Sequence, residues 1–184
     1  MSTKEQFIVQ LRQARAQHLK WLNNIKLMVT GISIDASKVP VNQSESAFGV
    51  WLYEKAMVFA TANSKNVLAE IDSLHTLCYE HFLKIYHTLN SNRSGGLLQN
   101  VFGSKKASEN ELLLAQKYYE ELVGASDNMI NRIRLFESQM LATVESKFDE
   151  LVLTSDEPSV HLNMTPPAAP ASRVQRMYRG QPLD

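Results

Sequence analysis

The stretch that decides the fold is residues 71–82, Ile-Asp-Ser-Leu-His-Thr-Leu-Cys-Tyr-Glu-His-Phe. Its apolar residues recur at helical spacing, which predicts one helix carrying His75, Cys78, Tyr79 and His81 within two turns. At about 100° per residue, Cys78 and Tyr79 lie on either side of the line below His75, whereas His81 points away. A helical histidine with partners three and four residues on is one way to build a metal site between helices. The same pattern is typical of an aromatic-rich core helix, and both interpretations stay open.

The helix around this stretch is predicted to run from about residue 66 to residue 90. An earlier start at residue 57, with a break near residues 63–64, is the alternative. Two adjoining apolar stripes predict contact with two neighbouring helices, as expected inside a bundle. The stripes consist of Val67, Ile71, Leu74, Cys78, Phe82, Ile85 and Leu89, and of Leu68, His75, Tyr79, Phe82 and Tyr86.

The first helix is predicted to begin at Thr3, with Gln6 completing a capping box, and to end at Gly31. Its apolar residues alternate in steps of four and three, which indicates a face that packs against other helices. His18 lies within this face, so we expect it to point towards partner helices. The face consists of Phe7, Leu11, Ala14, His18, Trp21, Ile25 and Met28.

A loop over residues 32–45 precedes a short helix that contains residues 47–53. Ser44 or Ser46 is predicted to cap this helix. Gly49 lies inside it, where a glycine costs about 1 kcal/mol relative to alanine. We therefore expect the backbone at Gly49 to pack closely against another segment.

The longest helix is predicted to begin at a capping box formed by Ser108 and Glu111 and to continue to about Leu153. A helix of this length outruns the others, which predicts pairing with a second subunit and hence a homodimer. The helical pattern stops at Thr154, and five of the six prolines follow in residues 154–184. That composition is typical of a disordered tail with polyproline character. The predicted domains are thus a helical bundle over residues 1–153 and a disordered tail over residues 154–184.

The composition excludes several classes of protein. The 19 basic and 19 acidic residues balance, so no net charge attracts the chain to nucleic acid or to an anionic membrane. No signal-peptide pattern occurs at the N-terminus, and charged or polar residues interrupt every apolar run before it reaches the length of a membrane span. A single cysteine, Cys78, excludes an internal disulfide and fits a reducing compartment. We expect a cytoplasmic protein without membrane insertion.

Catalytic patterns are not found in the sequence. Neither a Ser-His-Asp set, nor paired carboxylates in an apolar face, nor a phosphate-binding loop is present, so we predict that the protein is not an enzyme. The predicted fold is all-α, an antiparallel four-helix bundle with a short extra helix after the first loop and a disordered C-terminal tail.

Several short motifs, in order, resemble the chemoreceptor zinc-binding (CZB) domain family of bacterial sensory helical bundles. Residues 16–21, Ala-Gln-His-Leu-Lys-Trp, are similar to the family's His-x-x-Trp. Residues 46–51, Ser-Ala-Phe-Gly-Val-Trp, are similar to its Cys-x-(Phe or Leu)-Gly-x-Trp. Residues 72–79 stand where the family has His-x-x-x-His. The resemblance spans residues 10–90 and implies a regulatory protein in signal transduction that acts through contacts with a signalling partner.

The family binds zinc through three histidines and one cysteine, and the resemblance carries two of these ligands over to His18 and His75. Ser46 replaces the cysteine, and Tyr79 replaces the third histidine. Hydroxyl groups are poor zinc ligands because they hold their protons at neutral pH. We therefore expect zinc binding to be weakened or lost, with Ser46 and Tyr79 hydrogen-bonded to His18 or His75 in a buried polar cluster.

Two alternatives stay open at this point. In the first, His18, His75 and Cys78 hold zinc with water as the fourth ligand, and the protein is a zinc sensor. In the second, the bundle is purely a scaffold or interaction module. His81 and His87 point away from this cluster and are expected at the surface.

Overall fold

The computed structural model describes residues 2–32, 34, 38–60, 63–90 and 107–155, and every regular element within these ranges is helical. The helices are α1 (Thr3–Val29), α2 (Ala47–Trp51), α3 (Lys65–Asn90), α4 (Glu109–Ala142) and α5 (Glu145–Ser155). A 3-10 turn, Gln43–Glu45, precedes α2, and a π-helical turn, Leu52–Ala56, and a 3-10 turn, Met57–Phe59, follow it. The all-α prediction is confirmed. The predicted tail over residues 154–184 lies outside the described residues beyond Ser155.

The N-cap of helix α1 is Ser2, one residue before the predicted cap, and the helix itself begins at Thr3. Ser2 has an extended backbone, its hydroxyl accepts from the amide of Glu5, and the Glu5 carboxylate accepts from the amide of Ser2. Thr3 is already helical, so the predicted capping box of Thr3 and Gln6 is wrong by one residue. The predicted capping box of Ser108 and Glu111 is confirmed, as is Gly31 after α1, where φ is 81°.

Three long helices run side by side. Helix α4 is antiparallel to α1, since Phe7 contacts Phe136 whereas the Val29 carbonyl accepts a hydrogen bond from Gln116. Helix α4 is also antiparallel to α3, because Arg132 pairs with Glu70 near the start of α3 and Tyr118 lies beside Lys84 near its end. The short segment 47–59 packs beside α1 over only part of its length. A helical bundle is thus observed, and the full antiparallel four-helix arrangement stays a prediction.

The bundle core falls into two apolar clusters. The aromatic cluster joins the first half of α1 to residues 47–59, the first half of α3, the second half of α4 and α5. The distal cluster joins the second half of α1 to the second half of α3 and the first half of α4. The aromatic cluster is built around Phe7, Phe48, Trp51, Phe59, Phe136 and Phe148, and the distal cluster around Trp21, Ile25, Cys78, Phe82, Ile85 and Leu122.

The predicted single helix from residue 108 to residue 153 is wrong, because the chain leaves the helical conformation at Thr143 (φ −69°, ψ 131°). After this break α5 turns towards the aromatic cluster, where Phe148 is fully buried against Phe59 and Phe7, with ring centres 4.5 and 5.6 Å apart. The Lys4 ammonium donates to the carbonyls of Leu141 and Thr143 at 2.7 and 2.6 Å, which satisfies the end of α4. The extra length therefore packs on its own bundle, and the length argument for a second subunit fails.

None of the described helices combines the length and the apolar character needed to cross a membrane.

Candidate functional site

A layer of polar side chains lies between the two apolar clusters. His18 on α1 stands between Ala14 of the aromatic cluster and Trp21 of the distal cluster, and His75 on α3 has the same position between Ile71 and Cys78. The ring centres of His18 and His75 are 6.5 Å apart. Their predicted meeting inside the bundle is thus confirmed. We use the name polar layer for the group His18, Ser46, His75, Tyr79 and Ser126, which are all buried.

His18 has a hydrogen-bond partner that the sequence did not predict. Its Nε2 lies 2.9 Å from the hydroxyl oxygen of Ser126 on α4, and both side chains are buried. Burial, together with the neighbouring His75, lowers the pKa of His18 from 6.5 to about 3, so the ring is neutral at pH 7. The only sequence signal for Ser126 is its position four residues after Leu122 on the buried face of α4, where serine breaks an apolar series.

His75 is fully buried, yet neither of its ring nitrogens has a hydrogen-bond partner among the described residues. Burial lowers its pKa to about 4, and the Asp72 carboxylate one turn earlier acts weakly in the opposite direction. The ring is bordered by Phe48 and Tyr79, with ring centres 5.0 and 5.1 Å away. A neutral imidazole with two unpartnered nitrogens in an aromatic surrounding is costly, because buried polar groups normally have partners.

Ser46 acts as the cap of α2 and not as a partner of either histidine. Its hydroxyl donates to the Gln43 carbonyl at 2.8 Å and accepts from the Gly49 amide at 2.9 Å. The prediction that Ser46 caps the short helix is confirmed. The expected hydrogen bonds from Ser46 to the histidines are wrong, because the hydroxyl donates its proton to the Gln43 carbonyl and accepts from the Gly49 amide as the cap.

Tyr79 lies flat on Trp21, with ring centres 4.8 Å apart and an angle of 20° between the planes. Its buried hydroxyl makes no hydrogen bond of acceptable geometry with any described residue, so the expected bond from Tyr79 to a histidine is also wrong. Burial raises the pKa of Tyr79 to about 12, although the nearby Ser46 hydroxyl opposes this shift. The phenol therefore keeps its proton at neutral pH.

Cys78 belongs to the distal cluster and is fully buried. Burial raises the pKa of its thiol to about 12, so no thiolate forms near neutral pH. No three His, Cys, Asp or Glu side chains in the described ranges stand together in a way that could hold a metal ion. The zinc site of His18, His75 and Cys78 gains no support from this geometry and stays a prediction.

The polar layer does not fit a closed zinc site. Such a site takes four ligands, usually deprotonated cysteines and neutral histidines. Of the residues at the matching positions, only His18 and His75 are good zinc donors here. Ser46 is engaged as a cap and Tyr79 is protonated. We therefore assign the chain no function that depends on bound zinc.

A second group of polar side chains links the turn before α2 to α3. The Gln43 amide donates to the Tyr53 hydroxyl at 2.8 Å and to the Thr76 hydroxyl at 3.4 Å, and Tyr53 donates to Asp72 at 2.7 Å. Burial and the Asp72 hydrogen bond raise the pKa of Tyr53 to about 12. These bonds join the turn before α2 to α3.

The two remaining histidines differ in position. His87 is exposed, as predicted. His81 is not a simple surface residue, since its side chain is only 13% exposed and its Nδ1 lies 3.1 Å from the Glu121 carboxylate on α4. The close packing of α3 on α4 covers it.

Comparison of the chain with protein-family models, with curated proteins and with solved structures found no match. The resemblance to the CZB family therefore stays a prediction based on the motifs.

Proposed function

We propose that the protein is a sensory or regulatory helical bundle of the CZB type that acts in signal transduction through protein contacts. In this proposal the polar layer is a diverged form of the family's zinc site. One observation supports it above all others. The resemblance assigns the four ligand positions to His18, Ser46, His75 and Tyr79, and these come from three separate segments and lie in one buried layer.

The polar layer is costly for a bundle that serves only as a scaffold. Apolar residues at His75 and Tyr79 would remove unpartnered buried polar atoms. Retained polar groups in a core are often a device for conformational specificity or switching. A layer that separates two apolar clusters also gives the three long helices a place to shift without opening either cluster. Such a shift would be passed to a partner protein. A homodimer is part of this proposal on the resemblance to CZB bundles alone, and no longer on the length of α4.

Restoring the family's ligand set tests this proposal. In the double variant Ser46→Cys, Tyr79→His, a cysteine and a third histidine join His18 and His75, so we expect one zinc ion to bind tightly per chain. The measurement is zinc content after dialysis against a weak chelator, followed by competition with a chromophoric chelator. Loss of the α2 cap costs roughly 1 kcal/mol, which the bound metal offsets.

The matched control is the double variant Ser44→Cys, Tyr86→His. Ser44 is exposed in the same turn, and Tyr86 lies two turns after Tyr79 on the same helix. This protein carries the same new groups at positions outside the layer, so it should bind no zinc. If the first variant folds, as judged by its helical circular dichroism, and takes up no more zinc than the control, the alignment with the family is wrong.

A pure scaffold is the second candidate, because Ser46 and Tyr79 both have structural roles, one as a cap and one stacked on Trp21. A scaffold does not need the imidazoles, so the variant His18→Leu, His75→Leu should keep its assembly state and become more stable. A regulatory bundle should instead change its assembly state or its partner contact. Sedimentation velocity on both proteins distinguishes the two candidates.

A further inference from the structure

We propose that the groove between α3 and α4 binds a free α-amino acid with an uncharged side chain. The groove has a volume of about 580 Å³, and its lining comes from the first half of α3 and the second half of α4. This volume lies within the range of small-molecule sites, about 300–1,000 Å³. The inference rests on the proposed function only in naming the signal that such a bundle would sense. The binding itself is argued from the lining of the groove and is tested separately.

The two charged side chains of the groove form an ion pair across it. Nε of Arg132 lies 2.8 Å from a carboxylate oxygen of Glu70, and these side chains are 48% and 49% exposed. An exposed pair contributes little to stability, so a ligand can share or replace it at small cost. A simple anion in the groove would face the Glu70 carboxylate, and a simple cation would face the Arg132 guanidinium. The charge that fits is therefore zwitterionic, with a carboxylate for Arg132 and an ammonium for Glu70.

The short distance within the ion pair selects a ligand whose own charges are close together. In an α-amino acid one carbon joins the ammonium to the carboxylate, which places the nitrogen about 3 Å from a carboxylate oxygen. That separation matches the 2.8 Å between Arg132 and Glu70, so both charges of the ligand can contact their partners at once. An ω-amino acid holds its charges further apart and would have to bend back on itself to do the same.

Two carboxamides on α4 supply neutral hydrogen-bonding groups beside the ion pair. Asn128 stands one turn before Arg132, and Asn131 directly precedes Arg132 in the chain. The oxygen of Asn131 accepts from Arg134 at 3.2 Å, which leaves its NH₂ group to donate to a ligand. Apart from Glu70 and Arg132, the described residues that line the groove are uncharged. A charged ligand side chain would find no opposite charge there, so the groove favours an amino acid whose side chain is uncharged.

The groove also lies next to the polar layer along both helices. Leu74 contributes to the lining and packs against the aromatic cluster, and it directly precedes His75. On α4, Asn128 follows Ser126 by two residues. A ligand that touches α3 and α4 here would hold the two helices together beside the layer. In the proposed regulatory bundle, the amino acid is thus the signal that fixes the relative position of these helices.

The test is isothermal titration calorimetry of the full chain with each L-α-amino acid of uncharged side chain, and with glutamate and lysine for comparison. Low ionic strength is used because salt screens exposed charges. We expect at least one uncharged amino acid to bind once per chain, with a dissociation constant on the order of 0.1 mM. Its amide, which lacks the carboxylate, and its N-acetyl form, which lacks the ammonium, should not bind measurably. In nitrogen-15 NMR spectra the shift changes should centre on residues 69–74 and 128–132.

Substitutions in the groove should weaken binding of the same amino acid. Arg132→Gln and Glu70→Gln should each weaken it about 10-fold or more, because each removes a hydrogen bond between charged groups. Both positions are half exposed, so these variants should fold as the unchanged chain does, as judged by circular dichroism. The matched controls are Lys117→Gln on α4 and Glu80→Gln on α3, which remove exposed charges outside the groove and should leave the affinity unchanged.

Several results would overturn the inference. The first is that none of the uncharged amino acids binds. The second is that the amide or the N-acetyl form binds as tightly as the amino acid itself, or that glutamate or lysine binds more tightly, because the ligand would then not be the neutral zwitterion. The third is an affinity unchanged in both Arg132→Gln and Glu70→Gln, or NMR shift changes centred on other residues, because the ligand would then lie elsewhere.

The tests of this site and of the proposed function fail separately. Amino-acid binding by the unchanged protein without zinc uptake by the Ser46→Cys, Tyr79→His variant keeps the groove site and rejects the kinship. Zinc uptake by that variant without amino-acid binding by the unchanged protein keeps the kinship and rejects the site.

Discussion

The aromatic cluster and the polar layer are built on the same helices. They differ in whether their buried side chains have suitable partners. Around Phe7, four aromatic rings lie with centres 4.5 to 6.1 Å away, and the ring contacts fill the space between α1, α4 and α5. His18, three turns further along α1, and His75 on α3 are as deeply buried as Phe7. His75 nevertheless has no hydrogen-bond partner among the described residues. The first region thus stabilises the fold, and the second is held in place by it. The polar layer is therefore kept at a cost in stability.

The largest effect should come from the aromatic cluster. Phe148→Ala removes the fully buried ring by which α5 packs, and it should lower the free energy of unfolding by roughly 3–5 kcal/mol, as large core truncations do. Urea unfolding at constant pH measures this loss. The control on the same helix is Leu153→Ala, at a side chain that is 70% exposed, which should change stability by less than about 0.5 kcal/mol. Equal effects of the two variants would mean that α5 does not pack as described.

The polar layer should make the protein acid-sensitive. The pKa values of His18 and His75 are lowered to about 3 and about 4 in the folded chain, against 6.5 when unfolded. As the pH falls below 6.5, the unfolded chain takes up protons that the folded chain does not, so stability present above pH 6.5 is lost as the pH falls towards 4. Between pH 7 and pH 5 we expect a loss of roughly 2 kcal/mol for each histidine.

Chemical unfolding at several pH values measures this dependence. His75→Leu should remove about half of the loss between pH 7 and pH 5, whereas His87→Gln, at an exposed position of the same helix, should leave the profile unchanged. A pH profile of the His75→Leu protein identical to that of the unchanged chain would show that His75 is not buried as a neutral ring.

The turn that joins the two regions should give the smallest of these effects. A Cβ added at Gly49 would lie 2.0 Å from the Gln43 carbonyl oxygen, so Gly49→Ala must displace the backbone of the turn that caps α2. We expect a loss of roughly 1–3 kcal/mol, the cost of overpacking. The control is Gly124→Ala on α4, where a Cβ meets nothing within 4 Å and helix propensity predicts a gain of about 1 kcal/mol. Thermal and urea unfolding that show Gly49→Ala to be as stable as Gly124→Ala would contradict the close approach.

The expected contact at Gly49 is one of several features that the sequence predicted correctly. The predicted start of α3 at residue 66 is one residue from its observed start at Lys65. The inward position of His18 and His75 also followed from the sequence, since both lie on apolar faces that must pack inward, and their meeting was expected from the resemblance. These features depend on helical periodicity and on local backbone preferences, which short stretches of sequence carry by themselves.

The break between α4 and α5 and the partners in the polar layer did not follow from the sequence. Met140, Val144 and Phe148 continue the apolar spacing through Thr143, and neither glycine nor proline marks a break. The helix ends there because Phe148 fits beside Phe7 and Lys4 satisfies the final carbonyls, and both partners are more than 130 residues away in the chain. In the same way, Ser126 meets His18 only because α4 packs antiparallel to α1.

The sequence by itself determined the helices, their buried faces and the inward position of the two histidines, because each of these depends on neighbours within a few turns. Only the tertiary structure decided where α4 stops, that Ser46 serves α2 and that His75 is left without a partner in the described chain. Those outcomes depend on which distant side chains reach the same point in space, and hydrogen bonds and close packing act only over such short distances.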